Sequence, residues 1–398
     1  MTPPLVVLSH LRWDFVIQRP QHLVGRFAQE RPVLFVEEPV RGSGTPRIDY
    51  REVQPGLTIA CPITPLNVGG FAGEQASLVR SLLEQGGEHA MTKRYGGGGV
   101  YTFTPMAEPI IDAFAPRVVV YDCMDELSAF LNAPAELHER ERTLLARADL
   151  VFTGGPSLYR AKRALHHDVH CFASSVDADH FGRALEPGLH HFAQDGLPHP
   201  RLGFYGVIDE RLNIDLIAQL ADLKPKWQIV MAGPIVKINP DRLPKRANLH
   251  WIGRQTYESL PALLAGWDVC LLPFALNAST RFISPTKLLE YLAAEKPVVS
   301  TPIEDVVQPY GDIVEIAKDA AGFAAACERF LSERESARTK RIQRSRAIIA
   351  STSWDQTAMR MQSLMDRVIE QRMESELIPL SQPSVAERSS RASWPASA

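Results

Sequence analysis

The chain has 398 residues, 45% hydrophobic and 22% charged, with a formal net charge of -3 and a pI near 6.5. That length exceeds one ordinary domain and predicts two domains plus a tail, each able to bury a core. The near-neutral charge excludes a general pull toward nucleic acid.

From the N-terminus, residues 1–7 lack the charged and long apolar regions of a signal peptide. No run approaches the roughly 18 apolar residues that cross a bilayer. A cytoplasmic protein is therefore expected, peripheral to a membrane at most. Short apolar runs follow at 5–8, 33–36, 57–60, 100–103, 118–121, 150–153 and 169–173. Runs of Val, Ile, Leu and Phe bounded by Gly, Pro and Asp suit strands buried on both faces of a parallel sheet. Helix-period segments such as 21–30 and 135–148 lie between them. A Gly-, Pro- and His-rich break at 182–200 precedes a second series at 201–207, 228–232, 249–252, 269–273, 298–300 and 313–316. Helical stretches again alternate with the strands, so the α/β pattern runs twice and predicts two tandem doubly wound, Rossmann-like domains.

The chain closes with a basic segment (Arg338, Lys340, Arg341, Arg344, Arg346), an amphipathic stretch at 352–369 and a Pro-, Ser-, Ala- and Arg-rich end. The predicted boundaries are 1–185 and 200–350 for the two domains, 351–375 for a C-terminal helix, and 376–398 for a disordered tail. The basic segment has two readings, a face toward an anionic membrane or a solvated helix face. Five scattered cysteines, Cys61, Cys123, Cys171, Cys270 and Cys327, contain no C-x-x-C pair and read as reduced thiols.

Ligands of parallel sheets bind beyond the carboxyl ends of the strands. No G-x-G-x-x-G follows the first strand, no G-x-x-x-x-G-K-[ST] loop exists, and the glycine run 96–99 opens no helix. The strongest constellation is 284–291, Ser-Pro-Thr-Lys-Leu-Leu-Glu-Tyr, after the strand ending at Pro273. Ser284 suits an N-cap and Pro285 a first turn, whose free amides and positive end attract an anion. Thr286 and Lys287 add a hydroxyl and a charge suited to a diphosphate. Glu290, four residues beyond Thr286, shares that face and offers a carboxylate to a ribose diol.

The stretch SPTKLLEYLAAEKPVV resembles the donor-site signature of GT-B glycosyltransferases, group 1 or family 4-like, of bacterial polysaccharide assembly. RWDFVIQRPQHL, VVYDCMDELSAF and FYGVIDERLNIDLI resemble the same group. The resemblance implies a GT-B fold whose C-terminal helix crosses back onto the first domain. It implies transfer of a sugar from a nucleoside-diphosphate sugar to a saccharide or lipid-linked acceptor, with no cofactor and no metal. Glu290 would bind the ribose and Lys287 the phosphates, with Gly206, Arg211 and Lys237 lining the diphosphate beside Ser284 and Thr286. A family glutamate eight positions before Glu290 is Phe282 here, and Asn277 or Thr280 would have to replace it.

The first domain would supply the acceptor side. Asp122, Asp125 and Glu126 follow the strand at 118–121, and Asp125 is the favoured general base, with His10 the alternative. Arg12, Asp14 and Arg19, with Gln18 and the interleaved Trp13 and Phe15, would hold the acceptor. Two other functions remain open: a nucleotide-sugar epimerase or hydrolase on the same fold, and a degenerate binding protein without catalysis.

Overall fold

A strand apolar on both sides is stable only where helices cover both faces of its sheet. In the computed structural model, which describes residues 2–377, the uninterrupted apolar runs form two such sheets. The first contains β1 (Leu5–Ser9), β2 (Val33–Glu37), β3 (Val40–Arg41), β4 (Arg47–Gln54), β5 (Leu57–Thr64), β6 (Gly99–Thr102), β7 (Val118–Cys123), β8 (Leu150–Thr153) and β9 (Val169–Cys171). Its order is β3-β5-β2-β1-β6-β7-β8-β9, parallel throughout, with β4 antiparallel on β5. The second contains β10 (Arg201–Tyr205), β11 (Gln228–Ala232), β12 (Leu249–Gly253), β13 (Val269–Leu272), β14 (Val298–Ser300) and β15 (Val314–Ile316). Its order is β12-β11-β10-β13-β14-β15, all parallel. The order reverses between β10 and β13, which opens a crevice at their carboxyl ends.

β4 is absent from the sequence reading because it carries no apolar run. Its RIDYREVQ sequence is largely exposed and forms an outer edge, where charged side chains discourage further pairing.

The first domain ends earlier than the expected residue 185. Val176, Phe181 and Ala184 are buried in the core of the second domain, because the short helix Ala178–Gly182 turns its apolar Phe181 that way. After the helix Glu335–Ala350 the chain crosses back as the helix Trp354–Leu377. Trp354, Ala358, Met361, Met365 and Ile369 recur at helical spacing, and all join the first-domain core. Burial of each large apolar side chain contributes roughly 1.5–3 kcal/mol. Arg31 and Asp366 fasten the helix at 2.6 Å. Ser175 Oγ and Thr357 Oγ1, one on each crossing segment, stand 3.0 Å apart.

Trp354 is 1% exposed and stacks on His22 with ring centres 4.9 Å apart. Trp354→Ala should lower unfolding stability by about 3–5 kcal/mol, read as a fall in the urea midpoint. A loss under 1 kcal/mol (roughly the cost of a tolerated core swap) would mean the returning helix does not anchor the fold.

Residues 376 and 377 are still helical, and the remainder of the expected tail, 378–398, lies outside the described residues. The basic segment is largely neutralised within the chain. Arg341 pairs with Glu333 at 3.0 Å, Arg344 with Asp312 at 3.0 Å, and Arg346 with Glu295 at 2.6 Å. Arg338 and Lys340 remain exposed, so the membrane reading of this face loses most of its charge. Among the described residues no helix is long and apolar enough to cross a membrane.

Candidate active site

Residues at and beyond the carboxyl ends of second-domain strands, with the loop after β1 and the helix Arg19–Glu30 of the first domain, line one cleft of about 890 Å³. The second domain supplies its deepest wall. β10 ends at Tyr205, and Gly206 follows with φ +145°, a conformation that favours glycine. A Cβ at Gly206 would stand 2.1 Å from Lys287 Cε, so the lysine side chain crosses the glycine backbone. Gly206→Ala should displace Lys287 and weaken nucleoside-diphosphate binding about tenfold, measured by calorimetric titration. Unchanged affinity would show that Lys287 reaches the ligand by another path.

Lys287 lies in the first turn of the helix Thr286–Ala293. Burial lowers its pKa, and Arg211 adds to that, against the opposing pull of Glu290, Asp209 and Asp125. Glu290 is 8% exposed and lines the cleft. Its Oε2 accepts the Tyr205 hydroxyl at 2.5 Å. Burial raises the Glu290 carboxyl, while Tyr205 and Lys287 hold it down.

Ser284 needs correction on two points. Pro285, at φ -75° and ψ 110°, is the N-cap, because an extended proline already ends the preceding loop. Ser284 packs on the first domain, where a Cβ at Gly155 would stand 2.7 Å from its own Cβ, and it is not among the cleft-lining residues. Thr286 does line the cleft, and its Oγ1 is 3.0 Å from Ser174 Oγ.

Arg211 lines the cleft with its guanidinium already bound to Asp209 at 2.6 Å. Lys237 is not among the cleft-lining residues. Its Nζ is 3.9 Å from Glu210. Arg211 and Lys237 both stand 5.1 Å from the centre of the Phe130 ring, which the first domain inserts between the domains.

On the first-domain side, most of the expected acceptor residues serve the loop itself. Arg12 Nη1 pairs with Glu37 at 3.3 Å, and its Nη2 donates to the Glu38 carbonyl at 3.0 Å. The Trp13 ring packs edge-on against Phe35 at 5.3 Å, and the partly buried side chain also lines the cleft. Arg19 is 3% exposed. It donates to Asp122 at 2.8 Å and to the Phe172 carbonyl at 2.7 Å, so it cannot hold an acceptor. Asp14 does line the cleft and pairs with Arg51. The Phe15 ring lies 5.7 Å from the Arg254 guanidinium, which also donates to the Asp14 and Phe15 carbonyls and so ties this loop to the second domain.

The candidate bases separate clearly. Asp122 is fully buried between Arg19 and the Tyr101 hydroxyl, the latter at 2.5 Å. Glu126 pairs with Lys162 at 2.9 Å. Asp125 has no side-chain hydrogen bond among the described residues, and the charges of Arg211 and Lys287 act on its carboxyl, but it is not among the cleft-lining residues. Burial raises its carboxyl above the ordinary range, and those two cations pull it back. His10 is pushed down to about 4 by burial and by Lys237, so it is neutral at pH 7 and a weak proton acceptor.

Phe282 packs against the first-domain core, with Arg281 5.0 Å from its ring centre. Neither suggested replacement reaches the cleft. Asn277 Oδ1 caps a turn through Ser279 and Thr280 amides at 3.0 and 3.2 Å, and Thr280 is 1% exposed. The sequence reading also missed Tyr205, Arg254 and Tyr257, all of which line the cleft. Their position at the end of β10 and in the loop after β12 was the available signal. Among the described residues, no group of three or more His, Cys, Asp or Glu is placed to hold a metal ion.

Residues 199–333 match the family model described as Glycosyl transferases group 1. A curated relative from Bacillus subtilis (strain 168), "Putative teichuronic acid biosynthesis glycosyltransferase TuaH", is 25% identical over 256 residues. That match covers 60% of this chain and 64% of the relative's length. Sucrose-phosphate synthase from Thermosynechococcus elongatus superposes with a TM-score of 0.71 at 16% identity, over 93% of this chain and 100% of that one. HepE of Anabaena, in complex with UDP and glucose, gives 0.65 at 12% identity, over 94% and 99%. The architecture is the GT-B fold.

Proposed function

We propose that this chain, whose residues 199–333 match the group 1 glycosyltransferase model, transfers a sugar from a nucleoside-diphosphate sugar to a saccharide or lipid-linked acceptor in surface-glycan synthesis. The observation that carries this reading is that Lys287 and Glu290 line one cleft wall, close enough to Asp125 of the first domain for each charge to act on the other. Glu290 takes the ribose. Lys287, the first-turn amides of its helix and Arg211 take the diphosphate, which gains charge as the glycosidic bond breaks. Asp125 accepts the acceptor hydroxyl proton as that oxygen attacks the anomeric carbon. No metal or cofactor has a role in this scheme. The teichuronic acid name of the Bacillus relative supports a polysaccharide acceptor.

The test is a thermal-shift series with UDP, GDP and ADP, beginning with UDP because HepE holds it. A ligand that binds only the folded state at about 100 times its Kd adds roughly 2.7 kcal/mol of stability, seen as a raised Tm. No shift with any of the three, in a protein that is folded, overturns the reading. Incubation with donor alone separates transfer from epimerisation or hydrolysis, since only the latter two consume donor without acceptor.

A further inference from the structure

Tyr205 belongs to no motif, yet it touches the residue on which donor binding rests. Its ring is fixed on three sides. Tyr291 meets it edge-on at 5.2 Å, Trp267 lies at 6.0 Å and Phe181 at 6.4 Å. Its amide also donates to the Tyr291 hydroxyl at 3.3 Å. The residue is 5% exposed, so the phenol has little room to swing away. Its hydroxyl donates to Glu290 Oε2 at 2.5 Å, while Oε1 makes no hydrogen bond among the described residues. Both residues line the cleft.

A carboxylate clasps a vicinal diol best with one oxygen per hydroxyl, and each oxygen can accept two hydrogen bonds. We infer that this bond, which takes one of the two acceptor places on Oε2, makes Oε1 the main acceptor from the ribose, so the site reads one ribose hydroxyl and tolerates loss of the other. Tyr205 is thus a specificity-determining residue for the nucleotide sugar ring. It acts through Glu290, and its consequence is admission of one class of deoxyribonucleotide donor. The inference rests on the donor-site reading above.

The experiment takes the tightest binder among UDP, GDP and ADP and compares it with its 2′-deoxy and 3′-deoxy forms by calorimetric titration. Wild-type protein and Tyr205→Phe are measured in parallel, with Tm recorded for both. The wild type should bind one deoxy form within about twofold of the parent and the other about 10- to 100-fold more weakly, the range for one hydrogen bond to a charged group. In Tyr205→Phe the freed Oε2 becomes available, and both deoxy forms should then bind more weakly than the parent. Wild-type losses with both analogues, or with neither, overturn the inference while leaving the donor site standing. An asymmetry that persists unchanged in a folded Tyr205→Phe also overturns it. If that variant does not fold, the wild-type pair decides alone. Absence of binding by all three parent nucleotides overturns the donor-site reading, and this inference with it.

Discussion

Lys287→Ala should lower turnover of the nucleotide-sugar donor by roughly 10²- to 10³-fold, the usual cost of removing a charge-stabilising group from a water-poor site. The half-buried lysine packs against Gly206, and its charge meets desolvation, Arg211, Glu290, Asp209 and Asp125 together. A desolvated ammonium with a lowered pKa gains most when a diphosphate arrives, because the new anion offsets the desolvation that disfavoured it. The loss should therefore appear in both kcat and nucleotide affinity. Fold stability should not fall, since the substitution removes a partly uncompensated desolvated charge. Activity within threefold of wild type would remove Lys287 from the mechanism, being under about 1 kcal/mol of transition-state energy.

Asp125→Asn should reduce kcat by about 10²- to 10⁴-fold, the span of general-base contributions. Its sign on stability is opposite to that of an ordinary salt-bridged aspartate. Asp125 has a folded pKa above its ordinary value of 3.8, mainly through burial. The folded state therefore binds the proton more tightly than the unfolded chain does. Ionisation works against folding as pH rises through that window, and at pH 7 the charged carboxylate costs stability. The asparagine variant should thus melt no lower than wild type at pH 7 while losing activity. A structural residue would show the reverse. The acid limb of the wild-type pH–rate profile should lie above 3.8 and should vanish in the variant. If His10→Asn instead gave the larger loss in kcat, the base would have to be reassigned despite the depressed pKa of that imidazole.

The two-domain fold was legible because its strands are buried on both faces, and such burial leaves continuous apolar runs in the chain. β4 was not legible, since a solvated edge strand needs no apolar residue. One wall of the cleft was legible in Thr286 and Glu290, whose spacing of four puts them on one face of a helix that follows a strand. The acceptor wall was read poorly. Arg19 and Asp122, 103 residues apart in sequence, each look like cleft residues until they are seen to neutralise each other. Residue type and position after a strand bring a polar group near the cleft. They do not say whether a distant partner has already claimed it. The same limitation hid Tyr205, whose hydroxyl meets Glu290 across 85 positions.

The chain passes between the domains twice, and the Ser175–Thr357 contact at 3.0 Å joins the two passages. A single tether would permit rotation about any direction. Two tethers bound side by side behave like a door with two hinge pins: they allow swing about the line through them and resist twist. A swing that keeps this contact runs about the line through the two passages, and such a swing would carry Lys287 and Asp125, one on each leaf of the door, along a single arc.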